Sequence, residues 1–158
     1  MYGTLMSPDV LQTLIGRVPS MFKPAYLCNF TRHPVKGYVF PGIIPAKSNV
    51  RESSRSENPR VEGILLTGLS KREMDIFDWF EDEDYTRSIK SIILPDDNDV
   101  TVTNTINANV YIWAADEDML NLQEEWDYDN FRQMELASYL ETTVGPCRSE
   151  IDRLSTES

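Results

Sequence analysis

The chain has 158 residues, of which 26 are acidic and 15 basic, giving a formal net charge of −11. This length fits one domain, which can bury a core without disulfides or a structural metal. An acidic surface repels phosphate backbones and anionic lipid, so we predict neither nucleic-acid binding nor a role at a membrane surface.

The N-terminal residues show no basic segment followed by an apolar one, and no apolar run approaches the length of a membrane span. The two cysteines, Cys28 and Cys147, have neither the spacing of a zinc site nor that of a disulfide framework. No dinucleotide fingerprint, phosphate-binding loop or metal cluster occurs in the sequence. We therefore predict a soluble cytoplasmic protein with free thiols, no cofactor and no metal.

The first half of the chain predicts a helix and several short strands. Ser7 can cap a helix that has Pro8 at its first position and ends at Gly16. Residues 25–30 and 35–40 are typical of strands, and residues 47–60 of a polar surface loop. A strand is predicted over residues 61–69, where Gly63 indicates a bulge or a close approach by another segment.

In the second half, Ser70 and Glu73 form a capping box for an apolar helix that gives way to an acidic run at residues 81–84. Residues 85–94 predict a strand, 95–98 a turn, and 100–115 one or two further strands. Asp127 is predicted to cap a long last helix that ends at residues 145–146, Gly-Pro. The expected domain spans residues 1–147, followed by a frayed polar tail at 148–158.

Consecutive strands with late helices predict an α+β fold rather than a doubly wound sheet. The architecture that we expect is a small mixed β-barrel with flanking helices.

Glu81 is the candidate for acid–base chemistry, because it follows the aromatic residues Phe77, Trp79 and Phe80. A carboxyl held against aromatic side chains is desolvated, which raises its pKa and suits it to move protons near neutral pH. The alternative is that Glu81 belongs to a solvated acidic run with the three acids after it. The residues alone leave both interpretations open.

Two further segments have functional and structural interpretations. Gly3, in a loop before a helix, lets backbone N–H groups turn toward an anion or a carbonyl oxygen, but it can equally form an ordinary turn. Tyr85 and Arg87 share one face of a predicted strand. Arg87 can pair with a substrate carboxylate or balance the neighbouring acids.

Five short motifs occur in an order that resembles the gamma-glutamyl cyclotransferase-like family, over about residues 2–145. They are Tyr-Gly-Thr-Leu at 2–5, Pro-Gly-Ile-Ile-Pro at 41–45, Val-Glu-Gly-Ile-Leu-Leu at 61–66, Asp-Trp-Phe-Glu at 78–81 followed by Tyr85 and Arg87, and Trp-Asp-Tyr at 126–128. The last motif is similar to that of the plant avirulence-induced branch. Phe40 stands where the family commonly has tyrosine.

The resemblance implies a small barrel with a cavity at one end and a reaction that releases 5-oxoproline and an amine from a small gamma-glutamyl substrate. It implies that Glu81 is the catalytic acid and base. It also implies these substrate-binding residues: Tyr2, Gly3, Thr4, Leu5 and Tyr85.

One feature departs from the family, in which a hydrophobic strand precedes the Tyr-Gly-Thr-Leu loop. Here Met1 alone precedes it, so the first strand of the barrel is missing from this sequence. We expect either that the natural start of the chain lies upstream, which we favour, or that the barrel is incomplete and inactive. An alternative function is therefore that of a catalytically inactive member, which binds a small ligand or a protein through the same cavity.

Overall fold

The protein is represented by a computed structural model that describes residues 1–47, 59–96 and 99–157. Helix α1, Pro8–Ile15, begins as predicted, because the Ser7 hydroxyl accepts a hydrogen bond from the Val10 N–H. It ends at Gly16, which adopts the left-handed conformation with φ of 77°. The predicted loop at residues 47–60 falls largely on residues 48–58, outside the described part.

Within the described residues, six strands form two sheets in which the pairing is antiparallel. They are β1 Ser20–Cys28, β2 Phe30–Pro34, β3 Pro41–Pro45, β4 Arg60–Thr67, β5 Tyr85–Asp96 and β6 Asp99–Trp113. Four of them make a curled half-barrel in the order β4-β1-β5-β6, while β2 and β3 form a separate ribbon. Helices flank the curled sheet, which confirms the α+β class.

The strand predicted over residues 35–40 is wrong. Gly37 has a φ of 80° there, and the N–H of Tyr38 bonds to the carbonyl oxygen of Val35 at 3.1 Å, so the segment is a turn. Pairing resumes in β3, where Pro41 and Pro45 stand at the two ends of the strand. A proline at a strand end removes little from the ladder.

Helix α2, Lys71–Glu81, begins with the predicted capping box between Ser70 and Glu73. The Arg17 guanidinium also donates to both oxygens of the Glu73 carboxylate, at 2.5 and 2.7 Å. The residue after the helix, Asp82, has a φ of 56°, which turns the chain away from the helix axis into β5. Glu81 is therefore the last helical residue before a sharp turn.

The last helix begins after its predicted cap, Asp127, but the predicted end at Gly145 and Pro146 is wrong. Residues 128–156 form one C-terminal helix built of five stretches: Tyr128–Asn130 (α), Phe131–Glu135 (π), Leu136–Tyr139 (α), Leu140–Val144 (π) and Gly145–Thr156 (α). Pro146 lies in the first turn of a new α-helical stretch, where its missing N–H is tolerated.

Residues 148–156 of the expected frayed tail therefore continue the helix. The Arg148 guanidinium donates to the carbonyl oxygen of Leu14 at 2.6 Å, and Ile151 packs against the main core. The centre of that core includes Leu11, Phe77 and Phe131. In the described part of the chain, no helix is both long and apolar enough to cross a membrane.

Gly63 is a point of close approach, as the sequence predicts. Met1 and Ile64 exchange both backbone hydrogen bonds, with N···O distances of 2.6 and 2.8 Å. This reciprocal bonding is that of an antiparallel pair, so Met1 extends the sheet beyond the edge of β4. A Cβ atom on Gly63 would lie 2.2 Å from the Met1 carbonyl oxygen.

We expect Gly63→Ala to displace Met1 from β4 and to cost roughly 3 kcal/mol of the free energy of unfolding. Gly68→Ala is the matched control, because Gly68 has open space around it and a φ of 72°, which costs about 1 kcal/mol for alanine. Denaturant unfolding measures both changes. Amide hydrogen exchange at Ile64 should become faster only in Gly63→Ala; unchanged exchange there would contradict the contact.

Candidate active site

A cavity of about 230 Å³ opens at one end of the half-barrel. Its walls include the predicted catalytic residue and the five predicted substrate-binding residues, which come from three separate stretches of chain: Tyr2, Gly3, Thr4, Leu5, Glu81 and Tyr85. The structure thus brings the first residues of the chain together with the end of α2 and the start of β5. Their functional roles remain predictions.

The loop at residues 2–5 is held from two sides. Thr4 begins a short 3-10 turn, Thr4–Met6, and both Thr4 and Leu5 are buried. Behind the loop, a Cβ atom on Gly3 would lie 3.0 Å from the Pro41 side chain, so a larger residue would push the loop off β3. The first N–H groups of such a turn have no acceptor within the turn itself.

Burial raises the pKa of the Glu81 carboxyl to about 8, although part of the residue faces the open cavity. The Met1 ammonium opposes this shift, because a nearby positive charge favours the carboxylate. Burial also lowers the pKa of the Met1 ammonium to about 6. Near neutral pH the cavity therefore holds a mostly protonated carboxyl and a mostly neutral amine.

Asp78, one turn before Glu81, ties α2 to the sheet. Its carboxylate accepts hydrogen bonds from Arg87 at 2.9 and 3.0 Å and from the Tyr111 hydroxyl at 2.6 Å. Arg87 thus pairs with an acid of the protein and is not among the residues that line the cavity. The sequence signal for this contact was the Asp-Trp-Phe-Glu motif, in which Asp78 precedes Glu81 by three residues.

The hydroxyl groups of two predicted binding residues are engaged with the backbone. The Tyr2 hydroxyl donates to the carbonyl oxygen of Tyr111 at 2.6 Å, and the Tyr85 hydroxyl donates to that of Pro41 at 2.7 Å. Each therefore offers a ligand its ring surface and oxygen lone pairs. Burial raises the pKa of both phenols, so both stay protonated.

One wall of the cavity was missed by sequence reasoning. It comes from the C-terminal helix, where Tyr139, Thr143 and Cys147 face the cavity at intervals of four residues. The Tyr139 hydroxyl lies 3.4 Å from the Thr4 hydroxyl, and the Tyr139 ring meets Phe80 edge to face. The four-residue spacing of these side chains in the sequence indicates one face of a helix. Nothing in the local sequence indicates that this face meets the cavity.

A second cavity of about 370 Å³ lies along β1, β4 and β6. It shares five lining residues with the first: Met1, Tyr2, Asn109, Val110 and Tyr111. Its lining is largely aliphatic, and Glu81 is not part of it.

His33, the single histidine, bonds to the Glu124 carbonyl oxygen and to the Thr31 hydroxyl. Among the described residues, no group of three or more His, Cys, Asp or Glu side chains is arranged to hold a metal ion.

The sequence profile of a family described as "Gamma-glutamyl cyclotransferase, AIG2-like" matches residues 1–130. The chain is 33% identical to AIG2-like protein D of Arabidopsis thaliana, over 90% of this chain and 83% of that protein. It is 30% identical to AIG2-like protein C of the same plant, over 90% of this chain and 73% of that protein.

Solved structures from the same plant have a similar fold. One solution structure superposes with a TM-score of 0.61 at 26% identity, covering 90% of this chain and 84% of that one. A second has a TM-score of 0.60 at 26% identity and covers 90% and 76%. The overall fold is thus shared with experimentally determined structures.

The raised pKa of Glu81 predicts a pH-dependent effect of Glu81→Gln on stability. Between pH 4.5 and 8 the native carboxyl holds a proton that the unfolded chain releases, so the wild type loses stability as pH rises. The variant has no such loss. Its stability relative to the wild type should therefore increase by on the order of 2–4 kcal/mol across this range and then level off.

Denaturant unfolding at pH 4.5, 6.5 and 8.5 measures this difference. Glu83→Gln is the control, because Glu83 is exposed and does not line the cavity, and its difference from the wild type should not change with pH. A pH-independent difference for Glu81→Gln would mean that the carboxyl is not desolvated.

Proposed function

Because this chain belongs to the gamma-glutamyl cyclotransferase, AIG2-like family, we propose that it is itself a gamma-glutamyl cyclotransferase. The observation that carries this proposal is the Glu81 carboxyl, whose pKa burial raises to about 8, in one cavity with the loop at residues 2–5. A carboxyl with that pKa can both accept and return a proton near neutral pH.

In the proposed reaction, the α-amine of a gamma-glutamyl compound attacks its own γ-carbonyl carbon. The new C–N bond closes a five-membered ring, and the carbonyl electrons move to oxygen as an oxyanion. The Glu81 carboxylate takes the proton that the α-ammonium must lose. When the oxyanion collapses, the original C–N bond breaks, and the protonated Glu81 delivers that proton to the leaving nitrogen. The ring nitrogen loses its remaining extra proton to the departing amine, which leaves as an ammonium. The products are 5-oxoproline and this ammonium, and Glu81 returns to its starting state.

The cavity is suited to the geometry of this reaction. Ring closure requires the γ-glutamyl chain to fold until amine and carbonyl meet, and a small walled space favours the folded form. The N–H groups of the loop at residues 2–5 are the candidates to stabilise the oxyanion. Tyr85 presents its ring to the same space from β5.

A cytoplasmic location fits this proposal. Both cysteines are free thiols, as expected of a reducing compartment.

We expect the purified protein to release 5-oxoproline from some members of a panel of gamma-glutamyl amides, measured by mass spectrometry. Glu81→Gln should lower kcat/KM by at least about a hundredfold, because general acid–base catalysis typically contributes that much. The wild-type kcat/KM, which reports the free enzyme, should rise with pH through about 8 as Glu81 ionises. Glu83→Gln should retain the wild-type rate.

If no compound of the panel is turned over but some bind at the cavity, the chain is instead an inactive, ligand-binding member of the family. If the wild type and Glu81→Gln release 5-oxoproline equally fast, Glu81 is not the acid and base. Circular dichroism of each variant shows whether a loss of activity reflects a loss of fold.

A further inference from the structure

The wall of the cavity formed by the C-terminal helix lies outside residues 1–130, the part of the chain that the family profile matches. This helix is irregular where it meets the cavity. Two π-helical turns, Phe131–Glu135 and Leu140–Val144, stand on either side of the short α-helical stretch that ends at Tyr139. Turns of this kind are rare and concentrate at functional sites.

The π-helical turns determine which side chains face inward. Tyr139 and Val144 are both buried although they are five residues apart, a spacing that puts side chains on different faces of a regular α-helix. An i→i+5 turn adds a residue and restores them to one face. Both side chains can therefore join the main core, and Tyr139 also lines the cavity.

Four tyrosines line the cavity, and three of them donate their hydroxyl protons elsewhere. Tyr2 and Tyr85 donate to backbone carbonyl oxygens, and Tyr111 donates to the Asp78 carboxylate. Tyr139 instead faces the hydroxyl of Thr4, and either oxygen of this pair can be the donor. Burial raises the pKa of the Tyr139 phenol, so it keeps its proton.

The contact between Tyr139 and Thr4 is long. Its O···O distance is 3.4 Å, whereas O–H···O hydrogen bonds commonly measure about 2.7–2.8 Å. Both side chains are buried, at 6% and 5% relative exposure. Two buried hydroxyls at this separation are poorly satisfied by each other, and a ligand oxygen that accepts from both would satisfy them better.

None of the described side chains that line the cavity is a cation. Among the described residues that line it, the Met1 amine is the one group that can carry positive charge, and burial lowers its pKa to about 6. A carboxylate entering this space must therefore be held by neutral donors. Hydroxyl and N–H groups bind carboxylate oxygens well when they are already oriented.

We infer that Tyr139 is a substrate-binding residue, which together with Thr4 donates hydrogen bonds to the α-carboxylate of the γ-glutamyl group. This inference rests on the proposed function for the identity of the ligand. It assigns a role in substrate recognition to the helix beyond the family-matched region. The ammonium and the scissile carbonyl are then left to face Glu81.

The test uses two ligands that differ only in the carboxylate: 5-oxoproline and 2-pyrrolidinone. Tyr139→Phe should weaken binding of 5-oxoproline about tenfold, because a hydrogen bond to a charged group is lost. It should leave binding of 2-pyrrolidinone unchanged. NMR titration measures both affinities without turnover.

Tyr139→Phe keeps the ring that packs on Phe80 and Phe131, so the fold should be retained. Tyr128→Phe is the matched control, since it makes the same chemical change on the same helix, away from the cavity. It should alter neither affinity. Equal weakening of both ligands by Tyr139→Phe, or no weakening of either, would overturn the inference, as would a wild type that does not bind 5-oxoproline.

Turnover of a gamma-glutamyl amide separates this inference from the proposed function. If both hold, Tyr139→Phe raises KM about tenfold and changes kcat little, as for a contact made equally in the ground and transition states. Unchanged KM with normal 5-oxoproline release overturns the inference and leaves the function standing. If 5-oxoproline binds in a Tyr139-dependent way but no compound is turned over, the inference is supported and the proposed cyclotransferase activity is contradicted.

Discussion

The structure around the cavity depends on a carboxyl that is held where water solvates it poorly. Moving an ionised carboxylate from water into a protein interior is costly, so burial raises the pKa of Glu81 to about 8. The fold must hold this side chain in place against that cost. It does so by ending α2 at Glu81, turning the chain sharply at Asp82, and burying Ile76 and Phe77 of the same helix.

Two anchors fix the parts of the cavity relative to one another. The Asp78 carboxylate bonds to Arg87 on β5 and to Tyr111 on β6, so the last turn of α2 cannot slide along the sheet. The reciprocal hydrogen bonds of Met1 with Ile64 fix the start of the loop at residues 2–5 beside the edge of β4. The distance between the carboxyl and the loop is thus set by the sheet, to which both are tied.

The parts of the fold that the sequence predicts well are those with local causes. Ser7, Ser70 and Glu73 act within a few residues of themselves, so the helix starts were predictable. Residues 35–40 have strand-like composition, yet Gly37 takes a positive φ and makes a turn. The C-terminal helix passes Gly145 and Pro146 because a π-helical turn precedes them, a rearrangement that depends on tertiary packing. For the same reason Tyr139 could not be paired with Thr4, 135 positions away.

The proposed chemistry has one apparent conflict, since a base must be ionised and Glu81 is mostly protonated at pH 7. The substrate itself resolves this conflict. Its α-ammonium brings a positive charge next to the carboxyl, and a positive charge in a poorly solvated space stabilises the carboxylate strongly. The Met1 amine exerts the same effect on the pKa of Glu81 when it is charged, below a pH of about 6. A neutral cavity can therefore admit a zwitterionic γ-glutamyl group, hold its carboxylate with hydroxyls, and ionise its base only when the ammonium arrives.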